Sequence, residues 1–312
     1  MKIKTLLAAV AATCLSAGVA LADWSPSGPV KLWIGFGAGG ETDTLGRLIA
    51  KEMGEATGWN IVVENKPGGG GIAMFTQLAT VPADGMTLGM GVTMPVLVNL
   101  TVRPDEIPFK LASFDYLNTV ALAQLAIVAK KDAPFDDLAG LVAYSKEKGG
   151  ALVAFDAKPQ ELLMNFIDGE TEAGFKLVST KSSAEELQQL LGGHVDAAFN
   201  AGAHIPYLES GELKMIASAN ASRHSYAPDT ATVQEQGHDI YVDPWFYIAA
   251  PAGLPEEAKM AISKAISDAL ASDATKEAIM NTMHTEPSMA GPEDTKMMLE
   301  AGLKNVGTLF GK

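Results

Sequence analysis

A glycine-rich segment follows the first apolar stretch of the predicted folded chain. Residues 31–43 read K-L-W-I-G-F-G-A-G-G-E-T-D, so an apolar run stops in Gly37, Gly39 and Gly40 and restarts as a helix. Residues without a side chain let several main-chain N–H groups approach one small ligand, and a helix N-terminus favours negative charge. The pattern therefore predicts a binding loop for an anion, in particular a carboxylate.

The acidic residues of this loop restrict the prediction. Thr42 and Asp43 are favoured helix caps, so a structural role is open for both beside a binding role. Glu41 would repel a bound anion unless its carboxylate points outward or meets a cationic part of the ligand. An amino-acid-like ligand therefore stays open.

Other candidate contacts follow predicted strands. Thr93 and Asn200 lie where the ligand edge of a sheet is expected, although each is equally compatible with a plain loop or turn role. Lys158 precedes Pro159 at a helix start, where its ammonium could donate to a distal carboxylate, a contact worth roughly 1.5–3 kcal/mol. A solvated lysine is the alternative, and Lys181 is a second candidate of the same kind. Trp245 either lines a cleft or belongs to the core.

Several chemistries have no matching motif. The glycine segments lack the G-x-x-x-x-G-K-[ST] spacing of a nucleotide loop, and no G-x-S-x-G is present. The five histidines show no H-x-x-x-H or H-E-x-x-H spacing, so no metal site is indicated. We therefore expect no catalytic residues, no metal and no cofactor.

The elements that would position these residues alternate between strands and helices. In the first part of the chain, we predict strands at Val30 to Ile34, Ile61 to Val63 (buried) and Thr87 to Met90, with a helix carrying Leu45, Leu48, Ile49 and Met53 on its buried face and another at Ile72 to Val81. The second part gives helices at Phe135 to Lys148, Gln160 to Ile167 and Ala184 to Leu191, and strands at Leu152 to Phe155, Phe175 to Val178, Ala197 to Phe199 and Lys214 to Ala217. A strand from Tyr241 to Ala250 then returns to the first part, followed by helices at Glu256 to Leu270, Thr275 to Met283 and Glu293 to Leu309.

This alternation predicts an α/β protein of two lobes, each a mostly parallel sheet flanked by helices. We expect the chain to cross between the lobes near Ala121 to Ala126 and again near His238 to Asp243. Residues 23–122 and 242–312 would form lobe 1, and residues 123–241 would form lobe 2. Two crossings make a hinge, and a cleft between hinged lobes is a usual ligand site.

The N-terminal segment has the layout of a cleaved secretory signal. Lys2 and Lys4 precede an apolar stretch, and Ala20-Leu21-Ala22 provides a cleavage site, which predicts export of residues 23–312 to the periplasm. The only cysteine, Cys14, lies in this segment, so the exported chain has no thiol. The chain has a formal charge of −14, and removal of the two lysines leaves −16. Such a chain is a poor partner for nucleic acid or an anionic membrane, and we expect a soluble monomer.

Three motifs in this sequence resemble one known family. Phe36 to Asp43 resembles the motif F-x-A-G-G-x-T-D, and Val62 to Gly71 resembles V-V-E-N-R-x-G-A-G-G, followed by Pro82 to Leu88 at the usual distance. Leu190 to Asp196 resembles L-L-G-G-x-V-D, and Ala250 to Gly253 resembles A-P-A-G. These are motifs of the substrate-binding receptors of tripartite tricarboxylate transporters, the Bug receptors.

The resemblance implies a two-lobed periplasmic binding protein of type II, with a hinge of two segments, that closes on a small carboxylate. It also implies delivery of that solute to the membrane permease subunits of a tripartite transporter. Two segments depart from the family pattern: Asp156 to Gln160 replaces a serine- and glycine-rich loop, and Thr180-Lys181-Ser182 replaces Tyr-Lys-Gly. Residue by residue, the expected ligand contacts are Phe36, Gly37, Ala38, Gly39, Gly40, Thr42, Asp43, Thr93, Lys158, Thr180, Lys181, Asn200 and Trp245.

We therefore predict a periplasmic solute receptor for a small organic carboxylate, with a di- or tricarboxylate, an aromatic acid or an amino acid as candidates. Two alternatives stay open. The same architecture can host an enzyme in its cleft, and the receptor could report to a membrane sensor instead of a permease.

Overall fold

The computed structural model describes residues 24–310 of the chain. The predicted signal segment, residues 1–22, lies outside this range. Within residues 24–310 the chain forms two sheets of five strands each. The strands in chain order are β1 (Val30–Ile34), β2 (Ile61–Asn65), β3 (Thr87–Val92), β4 (Phe114–Leu122), β5 (Leu125–Lys130), β6 (Leu152–Phe155), β7 (Lys176–Ser179), β8 (Ala197–Ala201), β9 (Leu213–Ser218) and β10 (Trp245–Pro251).

The two sheets have the same plan. The order is β2-β1-β3-β10-β4 in the first sheet and β7-β6-β8-β5-β9 in the second. The fourth strand of each, β10 or β5, runs antiparallel to both of its neighbours, and the other pairings are parallel. The predicted mostly parallel sheets in two lobes are therefore confirmed. The antiparallel strand of each sheet is the one that the chain enters after crossing from the other lobe.

Helices cover the faces of both sheets. Those of the first lobe pack their apolar stripes on the strands; for example, Leu45, Ile49 and Met53 are buried beneath the sheet. Leu48 is only partly buried. The helices are α1 (Glu41–Thr57), α2 (Ile72–Leu78), α3 (Thr93–Val102), α4 (Leu138–Lys148), α5 (Lys158–Thr171), α6 (Ser183–Leu191), α7 (Ile205–Glu209), α8 (Glu256–Ala271), α9 (Asp273–Met283) and α10 (Pro292–Phe310). No helix within residues 24–310 is both long enough and apolar enough to cross a bilayer.

Some predicted elements differ from the structure. The segment from Ile61 was expected to be buried on both faces, but β2 is an edge strand and Val62 is 41% exposed. The strands β4 and β5 and the helices α3 and α7 were not predicted. The reason for β4 and β5 is that neither strand alternates regularly between apolar and polar residues: β5 is a nearly continuous apolar run, and β4 has its polar residues Asp115, Asn118 and Thr119 at irregular spacing.

The chain passes between the sheets at Ala123-Gln124, directly between β4 and β5, and returns between β9 and β10. The two crossing segments are bonded to each other. Ala123 N–H donates to the carbonyl oxygen of Pro244 at 2.8 Å. The Asn220 side chain lies between them: its Nδ2 donates to the carbonyl oxygens of Ala123 (3.1 Å) and Val242 (3.2 Å), and its Oδ1 accepts from Leu125 N–H (2.7 Å).

A buried polar chain extends from Asn220 into the second lobe. His224 Nε2 lies 2.8 Å from Asn220 Oδ1, and the Tyr226 hydroxyl lies 2.7 Å from His224 Nδ1 and 2.9 Å from His204 Nε2. Burial lowers the pKa of His204 to about 3, with a contribution from the charge of His224, and burial lowers the pKa of His224 to about 4. Both imidazoles are therefore neutral in the folded protein at neutral pH.

These histidines predict a pH dependence of stability. Their folded pKa values lie below the ordinary value of 6.5, so the unfolded chain binds more protons as the pH falls. Their contribution to the free energy of unfolding is therefore complete above pH 6.5 and is lost as the pH decreases toward 4. In urea titrations at pH 7.5, 6 and 5, we expect the double variant His204→Gln/His224→Gln to lose less stability on acidification than the wild type. Exposed His194→Gln is the control, and equal slopes for all three proteins would contradict the assignment.

Candidate functional site

A small cavity of about 50 Å³ lies between the two lobes. Residues from both lobes and from both crossing segments line this cavity. A solute held there would therefore lie between the lobes and beside both crossing segments. The lining residues are Phe36, Glu41, Thr42, Val92, Met94, Pro95, Ala123, Leu125, Asp156, Ala157, Pro159, Gln160, Ser183, Glu186, Ala201, Val242, Pro244 and Phe246.

Four helices of the described chain begin at this cavity. Glu41 and Thr42 open α1, Met94 and Pro95 lie in the first turn of α3, and Pro159 is the second residue of α5. Ser183 is the first residue of α6 and also lines the cavity. The first N–H groups of a helix have no intrahelical acceptor and carry a partial positive charge. The cavity therefore lies where four such ends converge, at the strand ends that open α/β sheets use for ligands.

The predicted anion loop makes direct contacts between the lobes. Gly37 N–H donates to the carbonyl oxygen of Lys181 at 3.0 Å, and Glu41 N–H donates to Ser183 Oγ at 3.3 Å. Gly39 N–H donates to Asp43 Oδ2 at 2.9 Å. These three amides are thus already bonded within the protein.

The glycines at 37 and 40 permit this approach. A Cβ at Gly37 would lie 3.2 Å from Ser182 Cβ, and one at Gly40 would lie 3.1 Å from the same atom. Such distances are shorter than ordinary van der Waals contact. The loop therefore needs glycine for the contact between lobes, in addition to any role toward a ligand.

Asp43 has a structural network of its own. It is buried and accepts hydrogen bonds from Gly39 N–H, from Arg47 Nε at 3.0 Å and from Asn65 Nδ2 at 2.7 Å. Burial alone would raise its pKa, but the hydrogen bonds from Arg47, Gly39 and Asn65 lower the pKa below its ordinary value. Asp43 is therefore ionised, and it supports the glycine loop.

Phe36 and Thr42 are the predicted residues that line the cavity. Thr93 and Trp245 instead contact each other, because Trp245 N–H donates to Thr93 Oγ1 at 3.0 Å, and both line a separate pocket. Lys158 Nζ lies 2.6 Å from Glu161 Oε1, one turn along α5.

The other three predicted contacts of the second lobe, besides Lys158, have partners within that lobe or across the interface. Both the N–H and the hydroxyl of Thr180 donate to the carbonyl oxygen of Phe155. The main-chain carbonyl oxygen of Lys181 accepts a hydrogen bond from Gly37 N–H across the interface. Asn200 is fully buried and donates to the carbonyl oxygen of Ser183 at 2.8 Å. These residues shape the lobe interface next to the cavity.

Three carboxyl groups line the cavity: Glu41, Asp156 and Glu186. Glu186 is fully buried, and neither of its carboxyl oxygens has a hydrogen-bond partner; the same is true of Glu41 Oε2. Burial raises the pKa of Glu41 and of Glu186 well above the ordinary value, and the nearby charge of Asp156 raises both further. Burial also raises the pKa of Asp156 to about 6, although a hydrogen bond with Gln160 opposes the shift.

The sequence pattern points to Glu41, next to the glycine loop, but not to the other two acids. Asp156 belongs to the segment that departs from the family pattern. That departure predicted the loss of a ligand contact and did not point to Asp156 as a new one. Glu186 has a clear signal: it lies on the same helix face as Ser183, Leu187 and Leu190, all buried at positions i, i+3, i+4 and i+7. A glutamate within a buried stripe is unusual and indicates a special role.

We expect Asp156→Asn to stabilise the protein at neutral pH. Because the folded pKa of Asp156 is about 6 and its ordinary value is 3.8, the folded state holds the extra proton below pH 6, and ionisation above pH 6 costs stability. An asparagine does not ionise and has no such cost. The free energy of unfolding of the variant should therefore exceed that of the wild type by up to about 3 kcal/mol at pH 8. The difference should vanish near pH 4. Chemical denaturation at both pH values measures it, and Asp168→Asn on α5, the helix that follows Asp156, is the control. No gain at pH 8 would refute the burial.

Closure should depend on the absence of a side chain at position 40. Gly40 has φ −79° and ψ 171°, which any residue can adopt, so Gly40→Val adds bulk against Ser182 and Ser183 without backbone strain. We expect a larger radius of gyration by small-angle X-ray scattering. Gly291→Val is the matched control, because Gly291 also precedes a helix and a Cβ at this position would meet open space. Identical scattering from both variants would contradict the prediction.

Known proteins are similar to this chain in sequence and in fold. The sequence pattern described as tripartite tricarboxylate transporter family receptor matches residues 45–311. Protein BugT of Bordetella pertussis is 30% identical over 307 residues, which cover 95% of this chain and 93% of BugT.

Two solved structures have the same architecture. The periplasmic binding protein BugD superposes with a TM-score of 0.83 at 24% identity, over 92% of this chain and 97% of BugD. The R. palustris protein Rpa4515, solved with adipate, superposes with a TM-score of 0.80 at 27% identity, over 91% of this chain and 97% of Rpa4515. The predicted type II binding-protein fold is confirmed, and this chain belongs to the tripartite tricarboxylate transporter family of receptors.

Proposed function

We propose that this protein is a periplasmic receptor that closes on a small organic carboxylate in the cavity between its lobes. The observation that supports this most directly is the convergence of the N-termini of α1, α3, α5 and α6 on one enclosed cavity. Amide groups and dipoles at helix ends stabilise a bound carboxylate without a charged partner. The adipate in Rpa4515, a relative in fold and sequence, supports the same class of solute.

The carboxylate would lie against the start of α1. Thr42 lines the cavity in the first turn of this helix, and Phe36 lies beside it. We propose that the Thr42 hydroxyl and the first-turn N–H groups that follow Glu41 donate to the carboxylate, and that Phe36 and Phe246 contact the apolar part of the solute.

The receptor would deliver its solute to the membrane subunits of a tripartite transporter, and it would not alter the solute chemically. Family membership supports the transport role, and the predicted N-terminal signal supports the periplasmic location. The division into residues 23–122 with 242–312 and residues 123–241 agrees with the sheet crossings, and we propose it as the unit of hinge motion.

Binding and recovery of the solute test the proposal. In titration calorimetry with succinate, glutarate, adipate and their 2-amino derivatives, we expect one-to-one binding of at least one compound, recovered unchanged by mass spectrometry. Thr42→Val should weaken that binding about tenfold, because it removes a hydrogen bond to a charged group. Thr171→Val is the control, since the Thr171 hydroxyl bonds to Ile167 at the far end of α5. Conversion of the solute would refute the receptor role, and an unchanged affinity in Thr42→Val would refute this placement.

A further inference from the structure

The cavity contains more carboxyl groups than a receptor for a simple dicarboxylate requires. Resting on the proposed receptor function, we infer that the solute carries a protonated amine besides its carboxylate, and that this amine is bound by Glu186 together with Glu41 and Asp156. The cavity would thus select an amino acid or another small zwitterion over a dicarboxylate of the same length.

The unpaired oxygens of Glu186 are the first argument. Glu186 is fully buried on α6 and lines the cavity, yet neither Oε1 nor Oε2 has a hydrogen-bond partner. Buried polar atoms almost always have partners in folded proteins, because an unpaired one costs the full desolvation of that group. Two free acceptors on one buried carboxylate are therefore matched to a donor that arrives with the solute.

The charge of the lining is the second argument. The lining residues include Glu41, Asp156 and Glu186 and no lysine, arginine or histidine among the described residues. The cations closest in sequence do not line the cavity: Lys158 pairs with Glu161, Arg47 pairs with Asp43, and the Lys181 side chain is exposed. A dicarboxylate would add two negative charges to three carboxyl groups, and the helix N-termini supply only partial charges against this.

The chemistry of the three acids favours an N–H donor over a metal ion. Within residues 24–310, no three carboxylate or histidine side chains are placed so that they could hold a metal ion together. A protonated amine has three donors that can point toward separate carboxyl groups. A quaternary ammonium has none and would leave the oxygens of Glu186 unpaired.

The two ends of a zwitterion fit the two kinds of group in the cavity. Its carboxylate would lie at the first turn of α1, as proposed above, and its amine would face the acids. Most of the remaining lining is apolar and includes Val92, Met94, Leu125 and Phe246, which suits a short aliphatic body. This arrangement explains why Glu41 follows the glycine loop directly, where an anion receptor would gain from a neutral residue.

Proton exchange on binding provides a direct test in the unmodified protein. Because burial raises the pKa values of the three acids, the empty cavity holds more protons than three solvent-exposed carboxyl groups would. An amine would stabilise the ionised carboxylates and release protons, whereas a second carboxylate would cause proton uptake. We propose calorimetry at pH 7 in buffers of different ionisation enthalpy, which gives the sign and number of protons exchanged.

The probes are succinate, glutarate and adipate; β-alanine, 4-aminobutanoate and 5-aminopentanoate, in which an ammonium replaces one carboxylate; the 2-amino derivatives of the diacids; and 1,4-diaminobutane and 1,5-diaminopentane. We expect the tightest binder to carry both an amine and a carboxylate, with at least tenfold preference over the matched diacid and with release of protons. Glu186→Gln should reduce that preference at least tenfold. Glu185→Gln is the matched control on the same helix, because glutamine can still accept the bond from Lys181 N–H.

The outcomes separate this inference from the proposed function. Tighter binding of the diacids with proton uptake would overturn the inference and leave the carboxylate receptor intact. Binding of the diamines without any carboxylate compound would support the amine site and contradict the proposed carboxylate. An undiminished preference in Glu186→Gln, with unchanged melting behaviour, would also overturn the inference. Absence of binding by every probe would count against both.

Discussion

The close main-chain contact between the lobes is the interaction on which the site depends. The hydrogen bond from Gly37 to Lys181 joins a loop of the first lobe to a turn of the second, and glycine at 37 and 40 lets the two backbones approach. This contact encloses the cavity and removes Glu186 from water. The raised pKa values and the unpaired oxygens at the site follow from that enclosure.

The hinge is organised by a second polar centre. Asn220 bonds to both crossing segments, and these segments are also bonded to each other through Ala123 and Pro244. The neutral His224 connects this asparagine to Tyr226 and, through it, to His204 in the second lobe. A fully bonded network of this kind specifies one hinge geometry, because a change in any member leaves another buried group unpaired.

The electrostatics of the cavity combine two opposing features. Helix ends from both lobes favour a negative group, while three carboxyl groups disfavour a second one. Neither feature depends on a lysine or arginine in the lining. Selectivity in such a site comes from where partial and full charges lie relative to the solute, and the apolar lining strengthens both because it excludes water.

The sequence by itself determined the α/β alternation, the two lobes, the family and the glycine loop, because periodicity and motifs are local properties. It did not reveal the strands β4 and β5, which lack a regular alternation of apolar and polar residues, or the placement of Lys158, which pairs with Glu161 along its own helix. Only the tertiary structure decided that Glu41, Asp156 and Glu186 share one cavity, since they lie on three helix starts far apart in the chain. Burial and charge proximity are properties of that packing, and no spacing within the sequence encodes them.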